Sequence, residues 1–217
     1  MTMDHVSPVD PFVEARLRMV AEQLRDRGIR DERVLQAMAT VPRHEFVPPE
    51  AWGKAYEDHP LPIGEGQTIS QPYIVAFMIE ALGAEAGDTV LEIGTGTGYE
   101  AAVLSCIAAR VLSVERVASL AMRARENFAR LGYRNIETRV GDGSEGLRQS
   151  APFKRIIVAA AAATVPDSLL QQLDDNGKLV VPVGSADLQE LQLLHKVGGQ
   201  FIRTNLGGCR FVPLIEP

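Results

Sequence analysis

The amino-acid sequence predicts an α/β fold with a doubly wound, mostly parallel sheet of about seven strands. Short apolar runs alternate with helical segments between residues 89 and 182, as parallel strands require because each crossover between them usually holds a helix. After residue 187 the pattern changes to two extended runs around Gly198-Gly199, which predicts a C-terminal β-hairpin. Helical segments before residue 84 predict an N-terminal helical cap on the sheet.

The helical cap is predicted from helix-start residues and apolar spacing. Asp10 and Pro11 are a typical helix start, and Gly28 ends the segment. The apolar face of this first helix is predicted to be Val13, Leu17, Val20 and Leu24. A second helix is predicted over residues 31–40, with Val34, Leu35 and Met38 pointing inward. Residues 42–66 are rich in proline and glycine and are predicted to be a loop, followed by a third helix over residues 72–83.

The alternating part of the chain supplies the predicted sheet. The predicted strands are residues 89–93, 110–115, 136–140, 155–159, 178–182, 188–197 and 200–206. The predicted helices between them are residues 99–108, 117–131 and 166–173. Because no repeat or low-complexity linker interrupts the chain, we expect one structural unit, with residues 1–84 forming the N-terminal helices and loop and residues 85–217 forming the core.

Composition narrows the partners that the chain can have. Its 217 residues carry a net charge of −6 without a long basic run, so extended nucleic-acid binding is not expected. Two isolated cysteines and the scattered histidines show no metal-ligand spacing, and no metal is expected. No apolar stretch is long enough for a membrane span, and the N-terminal segment is not predicted to be a signal peptide. We therefore expect a cytoplasmic monomer that does not bind membranes.

The most informative stretch is a strand that runs into a glycine-rich turn. Glu92 lies at the end of the strand, and Gly94, Gly96 and Gly98 follow in the order G-x-G-x-G. Such a turn before a helix places backbone N–H groups beside a bound cofactor. About twenty residues on, Glu115 at the end of the next strand can accept hydrogen bonds from a ribose diol. The spacing differs from the G-x-G-x-x-G fingerprint, which disfavours a nicotinamide cofactor, and a turn that binds nothing is the other alternative.

The run E-x-G-x-G-x-G resembles the first motif of the class I methyltransferases, which bind S-adenosylmethionine. A second distinctive stretch, Gly66-Gln67-Thr68-Ile69-Ser70-Gln71-Pro72, precedes it at the start of the third helix. From the residues alone, Ser70 has the competing interpretation of a helix N-cap. A covalent nucleophile is disfavoured because there is no nucleophile elbow and no triad order.

Further segments make the resemblance specific. The chain resembles the protein-L-isoaspartate O-methyltransferases over about residues 12–215. The segments that carry this resemblance are Val41-Pro42-Arg43, Phe46-Val47-Pro48, Ala55-Tyr56, Pro60 to Gly64, Gly66 to Pro72, Leu91 to Tyr99, Val140 to Gly143, Leu179 to Gly184 and Arg210 to Leu214. The resemblance implies methyl transfer from S-adenosylmethionine to the α-carboxylate of L-isoaspartyl residues in damaged proteins and peptides, with S-adenosylhomocysteine as the product. The methyl ester then closes to a succinimide, which begins repair.

The resemblance also implies the site residues. Ser70 is the implied catalytic residue, with a hydroxyl that orients the substrate carboxylate. The implied cofactor-binding residues are Gln67, Thr68, Ile69, Ser70, Glu92, Gly94, Thr95, Gly96, Glu115, Arg116, Asp142 and Gly143. The implied substrate-binding residues are Ile69, Ser70, Arg210 and Val212. Three alternatives stay open: Thr68 as a loop-stabilising hydroxyl, Asp142-Gly143 as a plain turn, and Arg210 as a surface ion pair.

Two departures from the family pattern and two rival functions complete the expectations. Lys154 stands where the family usually has an acid, and Ala159 stands where a threonine is common. We expect Lys154 to change only surface charge, whereas Ala159 is expected near the cofactor. The rivals are an aspartate O-methyltransferase for one precursor peptide and a non-catalytic module that binds S-adenosylmethionine.

Overall fold

A computed structural model of the protein describes residues 10–185 and 187–215. The strands are β1 (Leu61–Gly64), β2 (Gln67–Ile69), β3 (Thr89–Ile93), β4 (Arg110–Glu115), β5 (Ile136–Val140), β6 (Phe153–Val158), β7 (Leu173–Gly184), β8 (Gln189–Val197) and β9 (Gln200–Cys209). The α-helices are α1 (Val13–Arg18), α2 (Glu32–Thr40), α3 (Pro72–Leu82), α4 (Tyr99–Ser105), α5 (Ala118–Leu131) and α6 (Asp167–Gln172). A π-helix (Met19–Arg25) follows α1, and short 3₁₀ turns lie at Arg43–Phe46, Pro49–Lys54, Gly143–Glu145 and Arg148–Ser150.

The main sheet confirms the predicted fold class. In the described part of the chain it has seven strands in the order β5-β4-β3-β6-β7-β8-β9. Strands β3 to β7 pair in parallel, whereas β8 is antiparallel to β7 and β9 is antiparallel to β8. The last two strands therefore form the predicted hairpin, which extends one edge of the parallel sheet.

The strand order reverses between β3 and β6. From β3 the chain proceeds outward to β4 and β5, and then returns to pair β6 with the other side of β3. At the carboxyl ends of these two strands, the Ala159 amide donates a hydrogen bond to the Ile93 carbonyl at 2.8 Å. A crevice opens at such a switch point, at the carboxyl ends of parallel strands, and it is where ligands bind in this kind of sheet.

Both faces of the sheet are buried at its centre, along β3 and the inner part of β6. Alternate side chains of β3 enter different cores, with Val90 on the side of the N-terminal helices and Leu91 on the side of α6. The first core runs without a break from the helical cap through α3, α4 and α5 to the sheet. The boundary proposed at residue 84 stays a prediction. None of the helices in the described residues has the length and apolar character needed to cross a membrane.

The apolar face predicted for the first helix is wrong at one position. Leu17 is 52% exposed, because Arg16 occupies the inward position instead. The Arg16 guanidinium donates to the Ala39 carbonyl at 2.7 Å and pairs with the Asp10 carboxylate at 2.8 Å. The helix continues from Met19 as a π-helix, whose turns hold more residues than the 3.6 on which the prediction relied.

The loop predicted over residues 42–66 is also wrong in part. It contains two 3₁₀ turns and strand β1, which pairs with β2 in a short antiparallel hairpin. Glu65 and Gly66 form its two-residue turn, both with positive φ, as a tight hairpin requires. The strand was missed because prolines at positions 60 and 62 and a turn without Asn-Gly or Asp-Gly hide the usual hairpin signals.

Other boundaries differ only at the ends of elements. Strands β3, β4 and β5 have the predicted bounds, and β7 is longer than predicted because it begins at Leu173. Helix α4 ends at Ser105, three residues earlier than predicted.

Gly98 is a position where the backbone leaves no alternative to glycine. It begins α4 at φ +99°, and a Cβ atom there would overlap the ring of Phe128. We predict that Gly98→Ala lowers the free energy of unfolding by about 2–5 kcal/mol, since it combines left-handed strain with overpacking. Gly132→Ala is the matched control, because Gly132 has φ +83° but open space around its Cβ position, and about 1–2 kcal/mol is expected. Urea denaturation checks both values, and equal losses would contradict the packing argument.

Candidate active site

The glycine turn is held in place by the carboxylate at the end of the neighbouring strand. Oε2 of Glu115 accepts a hydrogen bond from the Gly96 amide at 2.8 Å, and Oε1 accepts one from the Val117 amide at 2.8 Å. The Gly94 amide donates to the Val114 carbonyl at 2.8 Å. Each carboxylate oxygen keeps a second acceptor position, so Glu115 can also bind a diol.

Glu92 lies beneath the turn and is fully buried. One oxygen of its carboxyl group accepts a hydrogen bond from Ser113, whose hydroxyl also lies 2.5 Å from that of Thr95. Burial first, and then the nearby carboxyl of Glu100, raise the pKa of Glu92 well above its ordinary value. A carboxyl group in this position supports the turn from below.

Three clefts meet at the carboxyl ends of β3 and β6. The long cleft follows the glycine turn and is lined by residues that include Gln67, Thr68, Gly94, Gly96, Glu115, Arg116, Gly143 and Val212. The inner cleft lies under the turn and is lined by residues that include Thr68, Ile69, Ser70, Gly94, Thr95, Gly96, Tyr99 and Glu100. The outer cleft is lined by residues that include Arg27, Thr68, Ser70, Tyr73, Arg210 and Val212. Ala159 lines all three, as does Thr68.

Ser70 lies between the inner and outer clefts. Helix α3 begins at Pro72 with Gln71 as its N-cap and has no side-chain capping hydrogen bond, so the N-cap interpretation of Ser70 is wrong. Its hydroxyl makes no hydrogen bond to any of the residues that the structure describes, and the same holds for Thr68. Both hydroxyl groups are therefore available to a ligand, and the loop-stabilising interpretation of Thr68 is not supported by a contact.

The C-terminal segment, residues 210–215, borders the long and outer clefts. The Val212 carbonyl accepts a hydrogen bond from the Ala161 amide at 2.8 Å, and the Leu214 amide donates to the Ala161 carbonyl at 2.7 Å. This bridge places Val212 between the long and outer clefts. Arg210 is exposed in the outer cleft and forms no ion pair with any described residue.

One rim of the long cleft is formed by the turn that follows β5. Asp142 accepts hydrogen bonds from the amide and hydroxyl of Ser144 at 2.9 and 2.8 Å, so it does cap a tight turn. Gly143 lines the cleft directly, and a Cβ atom there would overlap Ile93. Arg116 lies opposite, with a guanidinium nitrogen 3.9 Å from the Asp142 carboxylate and 2.9 Å from the Ile215 carbonyl.

Glu100 lines the inner cleft, although no sequence pattern placed it among the candidate site residues. It is only 7% exposed, and both of its carboxyl oxygens lack a hydrogen-bond partner within the described residues. Burial raises its pKa to about 8. The helix dipole favours an acid in the first turn of a helix, where Glu100 lies. Nothing in the local sequence therefore marks Glu100 as a residue of the site.

The two departures from the family pattern occupy different environments. Lys154 is exposed on β6, as expected of a change confined to surface charge. Ala159 lines all three clefts, and its Cβ atom lies 3.4 Å from the position that a Cβ on Gly94 would occupy. A larger side chain at residue 159 would press against the glycine turn.

Relatives of the chain have one activity in their names. This chain is 56% identical over 204 residues to a protein-L-isoaspartate O-methyltransferase of Koribacter versatilis (strain Ellin345). The match covers 94% of this chain and 92% of the relative. The chain is 54% identical over 206 residues to the protein of the same name from Methanoculleus marisnigri (strain ATCC 35101 / DSM 1498 / JR1), covering 95% and 94%.

Solved structures give the same result. A protein-L-isoaspartate O-methyltransferase matches with TM-score 0.82 and 31% identity, over 91% of this chain and 65% of that chain. A putative protein-L-isoaspartate O-methyltransferase from Plasmodium falciparum, in complex with S-adenosyl-L-homocysteine, matches with TM-score 0.80 and 26% identity over 92% and 98%.

The fold is that of S-adenosylmethionine-dependent methyltransferases. The profile of the protein-L-isoaspartate(D-aspartate) O-methyltransferase family matches residues 15–217. The chain therefore belongs to this family, as its sequence motifs predicted.

The buried carboxyl of Glu100 makes stability depend on pH. Its pKa is raised from an ordinary value of 4.5 to about 8, so between these pH values the folded protein keeps a proton that the unfolded chain has lost. The free energy of unfolding of the ligand-free protein therefore falls as pH rises through this window. We predict a shallower fall for Glu100→Gln and an unchanged one for Glu126→Gln, which alters an exposed carboxyl on α5. Denaturant titrations at pH 5 and pH 8.5 check this, and parallel curves for Glu100→Gln and the wild type would contradict it.

Proposed function

We propose that the chain transfers a methyl group from S-adenosylmethionine to the α-carboxylate of L-isoaspartyl residues in damaged proteins and peptides. The observation that carries this proposal is the meeting of three clefts at Thr68 and Ala159, with the unpartnered hydroxyl of Ser70 at the junction of two of them. A cofactor and a peptide can thus reach one point from opposite sides. The family to which the chain belongs supports the same reaction.

This reaction requires the protein mainly to align the substrate carboxylate with the methyl group of the cofactor. The substrate carboxylate, with an ordinary pKa near 4, is already an anion at neutral pH and needs no general base. S-adenosylmethionine supplies an activated methyl group on its sulfonium when bound. The chain must align the carboxylate oxygen with that group and exclude water. Val212 and the bridge to Ala161 cover the junction of the clefts, which supports this role.

The clefts fit the parts of the cofactor. We propose that Glu115 binds the ribose hydroxyls in the long cleft. The adenine then lies between Arg116 and the Asp142-Gly143 turn. We propose that the methionine end of the cofactor lies against the glycine turn and the segments that border it, and these residues are Gln67, Thr68, Ile69, Ser70, Glu92, Gly94, Thr95 and Gly96. Acceptor carboxylates at both ends of this path suit a ligand that carries a diol and positive charge.

The outer cleft suits an extended peptide with an additional carboxylate. We propose that Ser70 donates its hydroxyl hydrogen to the α-carboxylate and thereby orients it. Arg210, which has no ion pair among the described residues, adds positive charge beside the same cleft. Val212 and Ile69 form the apolar sides of the passage between substrate and cofactor.

The remaining expectations are part of the proposal. We propose a cytoplasmic monomer that acts on proteins and peptides and has no nucleic-acid partner, in keeping with a net charge of −6. The rivals are a methyltransferase for aspartate in one precursor peptide and a module that only binds the cofactor.

A pair of matched peptides separates these functions. We predict base-labile methylation from labelled S-adenosylmethionine for a short peptide with L-isoaspartate and none for the same peptide with aspartate. The reason is that the isoaspartyl linkage leaves the α-carboxylate free, whereas aspartate offers only its side chain. Cofactor binding without labelling of either peptide would contradict the repair function, and labelling of the aspartyl peptide alone would favour the first rival.

The role of Ser70 predicts a specific kinetic change. Ser70→Ala should lower kcat/KM for the isoaspartyl peptide by about 10- to 150-fold, the worth of one hydrogen bond to a charged group. The dissociation constant of S-adenosylhomocysteine should change by less than kcat/KM does, because most of that ligand is held by the glycine turn and Glu115. Ser150→Ala is the control, because Ser150 precedes β6 at the opposite end of that strand from the clefts. Full activity of Ser70→Ala would refute this role.

A further inference from the structure

The carboxyl group of Glu100, which lines the inner cleft, has no role in the function proposed so far, and the buried carboxyl group of Glu92 lies near it. Glu92 is fully buried and Glu100 is 7% exposed. Three of their four oxygens, Oε1 of Glu92 and both oxygens of Glu100, make no hydrogen bond with any described residue. Unpartnered buried carboxyl oxygens are costly, and because Glu100 lines the inner cleft, the pair points to a ligand that supplies donors.

No cation of the described chain neutralises this pair. The charged groups that act on Glu92 are Glu100 and Glu115, which are both acids. The buried guanidinium of Arg43 lies over the ring of Tyr99, 4.8 Å from its centroid, and donates to the Ala55 carbonyl. It forms no ion pair with either carboxyl among the described residues.

We propose that Glu100, with Glu92 behind it, is the counter-charge for the α-ammonium group of the cofactor, and that this group displaces a proton from the pair. The inner cleft shares Gly94 and Gly96 with the long cleft, so a ligand with its ribose at Glu115 extends its amino-acid end towards Glu100. An ammonium group has N–H donors, and both carboxyl oxygens of Glu100, which lines the inner cleft, lack one. The inference rests on the proposed function because it assumes that cofactor.

The proton follows from the electrostatics of the pair. Two neighbouring buried carboxyl groups do not both ionise without a cation, so the ligand-free pair keeps a proton. Burial raises the pKa of Glu100 to about 8, in agreement with a protonated group at neutral pH. When the ammonium binds, the carboxylic acid loses its proton to solvent and the resulting carboxylate pairs with the ammonium, which keeps all of its own hydrogens. Binding near pH 7 should therefore release up to one proton.

Titration calorimetry with two ligands tests the subsite. S-adenosylhomocysteine carries the ammonium group, whereas 5′-methylthioadenosine lacks the whole amino-acid end. Glu100→Gln should weaken binding of S-adenosylhomocysteine by about 10- to 100-fold and leave binding of methylthioadenosine within about twofold. Glu126→Gln, on the exposed face of α5, should change neither. Equal weakening of both ligands would mean that Glu100 is only structural, and no weakening would exclude the contact; either result overturns the proposal.

Proton counting supplies an independent readout. Titrations at pH 7 in buffers of different ionisation enthalpy should show proton release with S-adenosylhomocysteine for the wild type and less for Glu100→Gln. Equal release by both proteins would overturn the proposal. The melting temperature of the ligand-free variant should be at least that of the wild type at pH 8, which separates lost binding from lost folding. If the wild type bound neither ligand, the proposed function itself would fail. If the wild type bound both ligands and methylated the isoaspartyl peptide, the proposed function would stand. Normal binding of S-adenosylhomocysteine by Glu100→Gln would then overturn only this inference.

Discussion

The hydrogen bonds from the Gly96 and Val117 amides to the Glu115 carboxylate are the interaction on which the site depends. They connect the turn after β3 with the end of β4, so the two strands present one continuous edge to a ligand. Without the carboxylate, the glycine turn would have an unsatisfied amide and several accessible conformations, because glycine restricts the backbone least. A single side chain thus holds the glycine turn that lines the long cleft and leaves acceptor positions free within it.

The strand order explains why the clefts meet where they do. Because β6 returns to the other side of β3, the segment after it brings Ala159 against the glycine turn and gives Ala161 as a partner for the C-terminal segment. The β1–β2 hairpin approaches from the helical cap and contributes Thr68. Cofactor-side and substrate-side residues therefore come from distant parts of the sequence, and packing of the cap on the sheet brings them together.

The sequence predicted the parallel strands closely because each buried strand is a short apolar run that ends at turn residues, as β3 and β4 are. It failed at the β1–β2 hairpin, where prolines obscure the strand signal, and at Leu17, where a π-helix and an inward arginine shift the buried face. Gly94 and Ser70 were predicted as candidate site residues from motifs, and both line the inner cleft. Glu100 was not predicted, because its lack of a partner depends on burial by distant segments, which no local pattern reveals.

A crystal structure with S-adenosylhomocysteine and an L-isoaspartyl peptide bound together would test the account most directly. We expect the ribose hydroxyls on the Glu115 carboxylate, the amino-acid end of the ligand in the inner cleft, and the isoaspartyl α-carboxylate in the outer cleft within hydrogen-bond distance of the Ser70 hydroxyl. A peptide carboxylate bound away from Ser70, or a ribose bound away from Glu115, would contradict the assignment of the three clefts.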